Sequence, residues 1–174
     1  KLPRQAGRVL QMIRDLHQAV RPDWLSTLRR YVLYSSIGHL VWEVLHVQLY
    51  TIWVEGSWNE IAFAVVHCTG GDLLIAASTL LLALFLTGHP AWPGRRAGPV
   101  LVLAVVFGVF YTVFSEWLNI ELRGAWAYRE AMPVVPLLNA GLTPLLQWVV
   151  VPTVCLLAAR RLNPAPPVEG RPMH

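Results

Sequence analysis

Pro99–Asn119 reads PVLVLAVVFGVFYTVFSEWLN, an apolar run whose one charged residue is Glu116. A helix of about 20 residues crosses a hydrocarbon core of about 30 Å, and this stretch has that length. Three further runs resemble it: Tyr34–Val54, Ile61 to about Leu86, and a less regular one between Pro133 and Ala159. The whole chain agrees, being 55% hydrophobic and 14% charged over 174 residues. A soluble domain carries about 25% charged residues, and a disordered chain lacks such abundant Leu and Val. Two cysteines cannot build a disulfide scaffold. The expected fold is all-α, a four-helix transmembrane bundle.

The basic residues set the orientation. Seven precede the first run (Lys1, Arg4, Arg8, Arg14, Arg21, Arg29, Arg30), Arg95 and Arg96 join the second to the third, and Arg160, Arg161 and Arg171 follow the fourth. Only Arg123 and Arg129 fall on the opposite side. Twelve against two predicts both termini inside, in a bacterial inner membrane if the arginine-rich composition reflects a GC-rich genome. The +4 net charge then reports topology and contact with anionic membrane lipids. No basic stripe with stacking aromatics points to nucleic acid. Trp24 and Trp92 are expected at the inner boundary, and Trp53, Trp58, Trp117 and Trp126 at the outer one.

Residues 1–30 read as a separate zone. Val9, Met12, Ile13, Leu16 and Val20 recur at helical spacing with arginines on other faces, which predicts a basic amphipathic surface helix ending at Arg21-Pro22. It lacks the compact apolar region and cleavage site of a signal peptide. Thr143-Pro144 is a helix-start signal inside the fourth run, so its helix is expected from about Thr143 to Arg161. Residues 120–142 then form a long outer connection, read as a semi-apolar cap on the bundle. Residues 31–161 make up the transmembrane domain, and 162–174 a Pro-rich tail.

Ionisable residues inside the runs carry the functional signal. His39, Glu43 and His46 lie on the first, His67 and Asp72 on the second, and Glu116 on the third. A charge at mid-bilayer costs roughly 2.5–3.5 kcal/mol, so such a set is expected to be paired, metal-bound or functional. At about 1.5 Å per residue, Glu43 and Asp72 fall near mid-depth, His46, His67 and Glu116 outward, and His39 inward. Gln147 joins the outer layer. Spacings of four and three put His39, Glu43 and His46 on one helix face, and Glu43-x-x-His46 is the unit found in di-iron bundles. Gly70-Gly71 beside His67 suggests a close helix approach. Cys68 and Cys155 lie too far apart in depth for a disulfide.

Three chemistries could use this set. A metal site would take Glu43, His46, His67 and Glu116 as ligands for zinc or iron, oriented by Gln147, His39 and Asp72. Acid–base work on a lipid-soluble substrate would use Glu116 or Asp72 with a neighbouring histidine. Haem, whose axial histidines would need matching depths, ranks third. The competing class is a non-catalytic accessory subunit of a larger membrane complex, docked through the N-terminal helix. A small transporter or proton path ranks last.

The stretches Gly38-His-Leu-Val-Trp-Glu43, His67-Cys-Thr-Gly-Gly-Asp72, Ser115-Glu-Trp-Leu-Asn119, Trp126-Ala-Tyr128 and Gln147-Trp148 resemble a family of small four-span bacterial membrane proteins of unassigned function. Residues 116–148 are also similar in rhythm to polytopic carotenoid cyclases and hydratases. That resemblance implies acid–base catalysis, although the paired acidic residues after proline that mark the cyclases are absent.

Overall fold

The computed structural model describes residues 24–161, and these are mostly helical. The chain forms α1 (Trp24–His46), a 3-10 turn (Val47–Leu49), the short α2 (Ile52–Glu55), α3 (Trp58–Thr87) and α4 (Ala97–Glu116). A π-helical turn (Trp117–Leu122), the hairpin β1 (Val134–Val135) and β2 (Ala140–Gly141), and α5 (Leu142–Arg161) complete it. The four long helices close a ring: α1 packs on α5 and α3, and α4 packs on α3 and α5.

Three helical segments are long and apolar enough to cross a membrane: Trp58–Thr87, Ala97–Leu122 and Leu142–Arg161. Their residues sort as lipid contact demands. Large apolar side chains such as Phe63, Leu74, Phe85, Val102, Phe110 and Val154 point outward, while Ala76, Ala83, Ala97, Ala104 and Ala159 are buried. With no hydrophobic drive between helices in lipid, small residues inside let the backbones approach closely. Gly108 shows it best, because a Cβ there would lie 2.3 Å from the Trp148 ring.

The first helix differs from the expected run. It spans Trp24–His46 instead of Tyr34–Val54, so residues 24–30, placed above in the N-terminal zone, are its opening turns. Residues 1–23 lie outside the described residues, as do 162–174. The helix stops at His46 because the backbone tightens into the 3-10 turn and Tyr50 becomes extended, pairing with Tyr128 as an antiparallel bridge. Every buried residue of α1 is polar or carries a hydroxyl: Thr27, Tyr31, Ser35, His39, Glu43 and His46. Its outward face carries Leu33, Ile37, Leu40, Val41, Val44 and Leu45.

Other expectations are corrected locally. Trp92, expected in an aromatic belt, is 3% exposed within the apolar core with Tyr31, Leu80, Val100 and Leu156. Gly70 and Gly71 make no close approach, since a Cβ at either would meet nothing within 4 Å. The α5 helix starts at Leu142, one residue from the expected position, and carries Pro152 inside it. Its Thr143 hydroxyl turns to Met132 Sδ at 3.2 Å instead of capping the helix.

The segment between α4 and α5 is ordered by backbone pairing. Val134 pairs with Gly141 and Val135 with Ala140, around a turn in which Asn139 takes a left-handed conformation (φ 49°). The segment is also stitched to the α1–α2 connection. Thr51 N–H donates to Ala127 O and Arg129 N–H to Leu49 O, both at 2.9 Å, and the Arg129 guanidinium donates to Gln48 O at 2.8 Å.

Candidate functional site: a polar cluster centred on Gln147

The row on α1 arises from helical periodicity. Residues 39, 43 and 46 fall on one stripe, and that stripe faces the α3–α5 side of the bundle. His39 is fully buried, and Glu43 and His46 are 7% and 8% exposed. On α3, Val65, Asp72, Ala76 and Thr79 follow the same logic, turning Asp72 inward. On α4 the buried positions 97, 100, 104, 108, 112 and 116 are spaced by three or four, so the stripe of small residues ends in Glu116. On α5, Gln147 stands beside Trp148 on the buried face.

Gln147 is the hub. Its Nε2 lies 2.9 Å from His39 Nδ1, 3.2 Å from Glu43 Oε1 and 2.7 Å from Asp72 Oδ2. His39 Nδ1 is also 3.5 Å from Asp72 Oδ2, and His46 Nε2 is 3.2 Å from Glu43 Oε1. The His39 ring rests tilted against Trp148, with centroids 5.2 Å apart. A side-chain amide has two N–H donors, so three acceptors compete for two hydrogens. Where Gln147 donates to His39 Nδ1, the imidazole proton sits on Nε2. That atom is buried without a hydrogen-bond partner among the described residues, as is His46 Nδ1.

A second node lies at the end of the bundle that carries the β1–β2 hairpin. The Tyr128 hydroxyl donates to Glu116 Oε2 and accepts from Gly141 N–H at 2.7 Å. Gly141 fits because a Cβ would lie 3.1 Å from that hydroxyl. Glu116 is within electrostatic reach of His46, Glu43 and Asp72, which joins the two nodes. Tyr50 packs between them, its ring 5.4 Å from both His46 and Tyr128. Burial raises both phenols above their ordinary value. For Tyr128 the hydrogen bond and charge of Glu116 add to this, and for Tyr50 the charges of Glu116, Tyr128 and Glu43 do.

The structure therefore brings together His39, Glu43, His46, Asp72, Glu116 and Gln147. His39, assigned above to the inner side as an orienting residue, sits at the hub. His67 is not brought in. It stands two positions from Val65, about 200° around the helix, on the exposed face with its ring stacked on Phe63 at 5.5 Å. Among the described residues, no three His, Cys, Asp or Glu side chains form a metal-ligand group. Both cysteines are free, and Cys68 lies near Glu43, Asp72 and Glu116.

Tyr50 and Cys68 were not read from the sequence as site residues. Tyr50 sat inside an expected span and carried no motif. Tyr128 was visible only as part of a resemblance. No family model, curated protein or solved structure matches this chain.

Proposed function

We propose that this chain is an integral membrane protein whose His/carboxylate cluster performs acid–base chemistry on a lipid-soluble substrate. One observation carries the reading: a histidine and a carboxylate of α1 and a carboxylate of α3 share a single amide of α5, beside a third carboxylate held by a tyrosine. Such a network offers donors and acceptors able to exchange protons at short range. In this reading Asp72 and Glu116 act as the acid and base. Gln147 and His39 set the hydrogen-bond geometry, and Tyr128 anchors Glu116 to the cap.

The lipid-facing apolar surface and the arginine distribution support four spans, with α1 as the fourth, and both ends on the cytoplasmic side of a bacterial inner membrane. Alkaline phosphatase fusions should be active after residue 56 and residue 130 and silent after residues 95 and 161.

The functional test compares lipid extracts of cells carrying wild type, Asp72→Asn or Glu116→Gln. Wild type should accumulate an isomer or water adduct of a lipid-soluble species that neither variant makes. Identical extracts would count against the reading and favour an accessory subunit. Near-stoichiometric zinc or iron in the purified protein, lost on Glu43→Gln, would favour a metal site.

A further inference from the structure

We infer that the buried face of α1 is a proton relay joining the inner end of the bundle to the Gln147 cluster. The inference extends the acid–base reading but is tested independently of it. Thr27, Tyr31, Ser35, His39 and Glu43 follow one another at intervals of four residues, and all are buried. They form one stripe with a rise of about 6 Å per step. Ser and Thr are ordinary small residues at a membrane helix interface, but Tyr31, His39 and Glu43 are large and polar, where α4 places Ala97, Ala104 and Gly108. Here each position can accept or donate a proton. On the inner side the stripe begins at Thr27, next to half-exposed Ser26 and Arg30, and on the outer side it ends at the cluster.

The middle of the row is the informative place. Ser35 Oγ is fully buried and has no hydrogen-bond partner at bonding geometry among the described residues, and the same holds for His39 Nε2 one turn further on. Tyr31 and Cys155 lie beside Ser35. Neighbouring Ser36 behaves differently, donating to Val32 O of its own helix at 2.8 Å. Ser35 Oγ, within reach of the Tyr31 hydroxyl and the Cys155 thiol, and His39 Nε2 lie one helical turn apart on the stripe, where a bridging water would complete the hydrogen bonds of both. In one passage each hydroxyl oxygen takes a proton from the inner side and releases its own outward. When Gln147 donates to Glu43 and Asp72 instead, the His39 proton sits on Nδ1; the ring then gains a proton on Nε2 and gives the one on Nδ1 to Asp72 Oδ2, 3.5 Å away. The net change is one proton moved from inner water to a carboxylate. The hydroxyls then rotate back and the imidazole returns to its starting tautomer.

The test uses the full-length protein in lipid nanodiscs. Its protonated-carboxyl infrared band is assigned by loss in Asp72→Asn and Glu43→Gln, then followed after rapid transfer into D2O. Tyr31→Phe and Ser35→Ala should each slow deuteration of that band by about tenfold, the factor for about 1.4 kcal/mol added to the barrier. Ser35→Thr, which keeps the hydroxyl, and Ser36→Ala, off the stripe, should exchange at the wild-type rate. Folding of each variant is verified by thermal melting. Wild-type exchange in the Tyr31→Phe/Ser35→Ala double variant overturns the relay alone. A wild type with no such band at any pH overturns both the relay and the acid–base reading.

Discussion

Gln147 Nε2 and His39 Nδ1 stand 2.9 Å apart although 108 residues separate them in the chain. The contact ties the last described helix to the first, and the same nitrogen reaches Asp72 on the third. The cluster is thus a tertiary lock as well as a chemical site.

Gln147→Leu preserves much of the volume and removes the amide. His39 Nδ1, Glu43 and Asp72 would lose a shared partner while staying buried, which should cost about 1–3 kcal/mol. Unfolding in mixed micelles measures this, and Gln147→Asn should destabilise less than Gln147→Leu if its shorter amide still reaches part of the set.

Tyr128→Phe should loosen the connection between α4 and α5, since one hydroxyl serves both Glu116 and Gly141 N–H. The effect should appear as faster proteolysis between residues 123 and 141. A phenol whose pKa is raised on folding binds its proton more tightly in the folded state. Stability from this source is therefore complete below the unfolded value of 10.0 and falls as pH rises beyond it. Tyr128→Phe should flatten part of that alkaline loss, and adding Tyr50→Phe should flatten more.

His67→Ala tests whether the cluster is drawn correctly. His67 is exposed and touches Phe63, so its loss should change stability by no more than about 0.5 kcal/mol and leave lipid conversion intact. His39→Ala should abolish conversion. Equal losses for the two would contradict this placement.

Gly108→Ala should overpack the α4–α5 interface, because its Cβ would meet Trp148 at 2.3 Å. A cost of about 1–3 kcal/mol is expected. The loss should be largely recovered in a Gly108→Ala/Trp148→Phe double variant, read by thermal melting.

Much of the fold was legible because lipid selects for uninterrupted apolar runs, and α3, α4 and α5 carry them. The start and end of α1 were not legible. Its inward stripe is polar, so it lacks a clean apolar window, and its end is set by pairing with residue 128, far along the chain. His39, Glu43 and His46 could be grouped because periodicity within one helix is visible in sequence. Which face of α3 turns inward is decided by packing, and a single residue carries no sign of that. Asp72 entered the cluster and His67 did not. Tyr50 stayed hidden because its role depends on Tyr128 reaching back across the bundle.

The most direct measurement of the central claim is solvent-deuterium incorporation. Purified protein is incubated in D2O with a total membrane lipid extract, beside Asp72→Asn and Glu116→Gln, and lipid masses are compared. Acid–base chemistry at carbon predicts a lipid-soluble species that gains solvent deuterium with wild type and not with either variant. No wild-type-dependent deuterium in any extracted species would contradict the account.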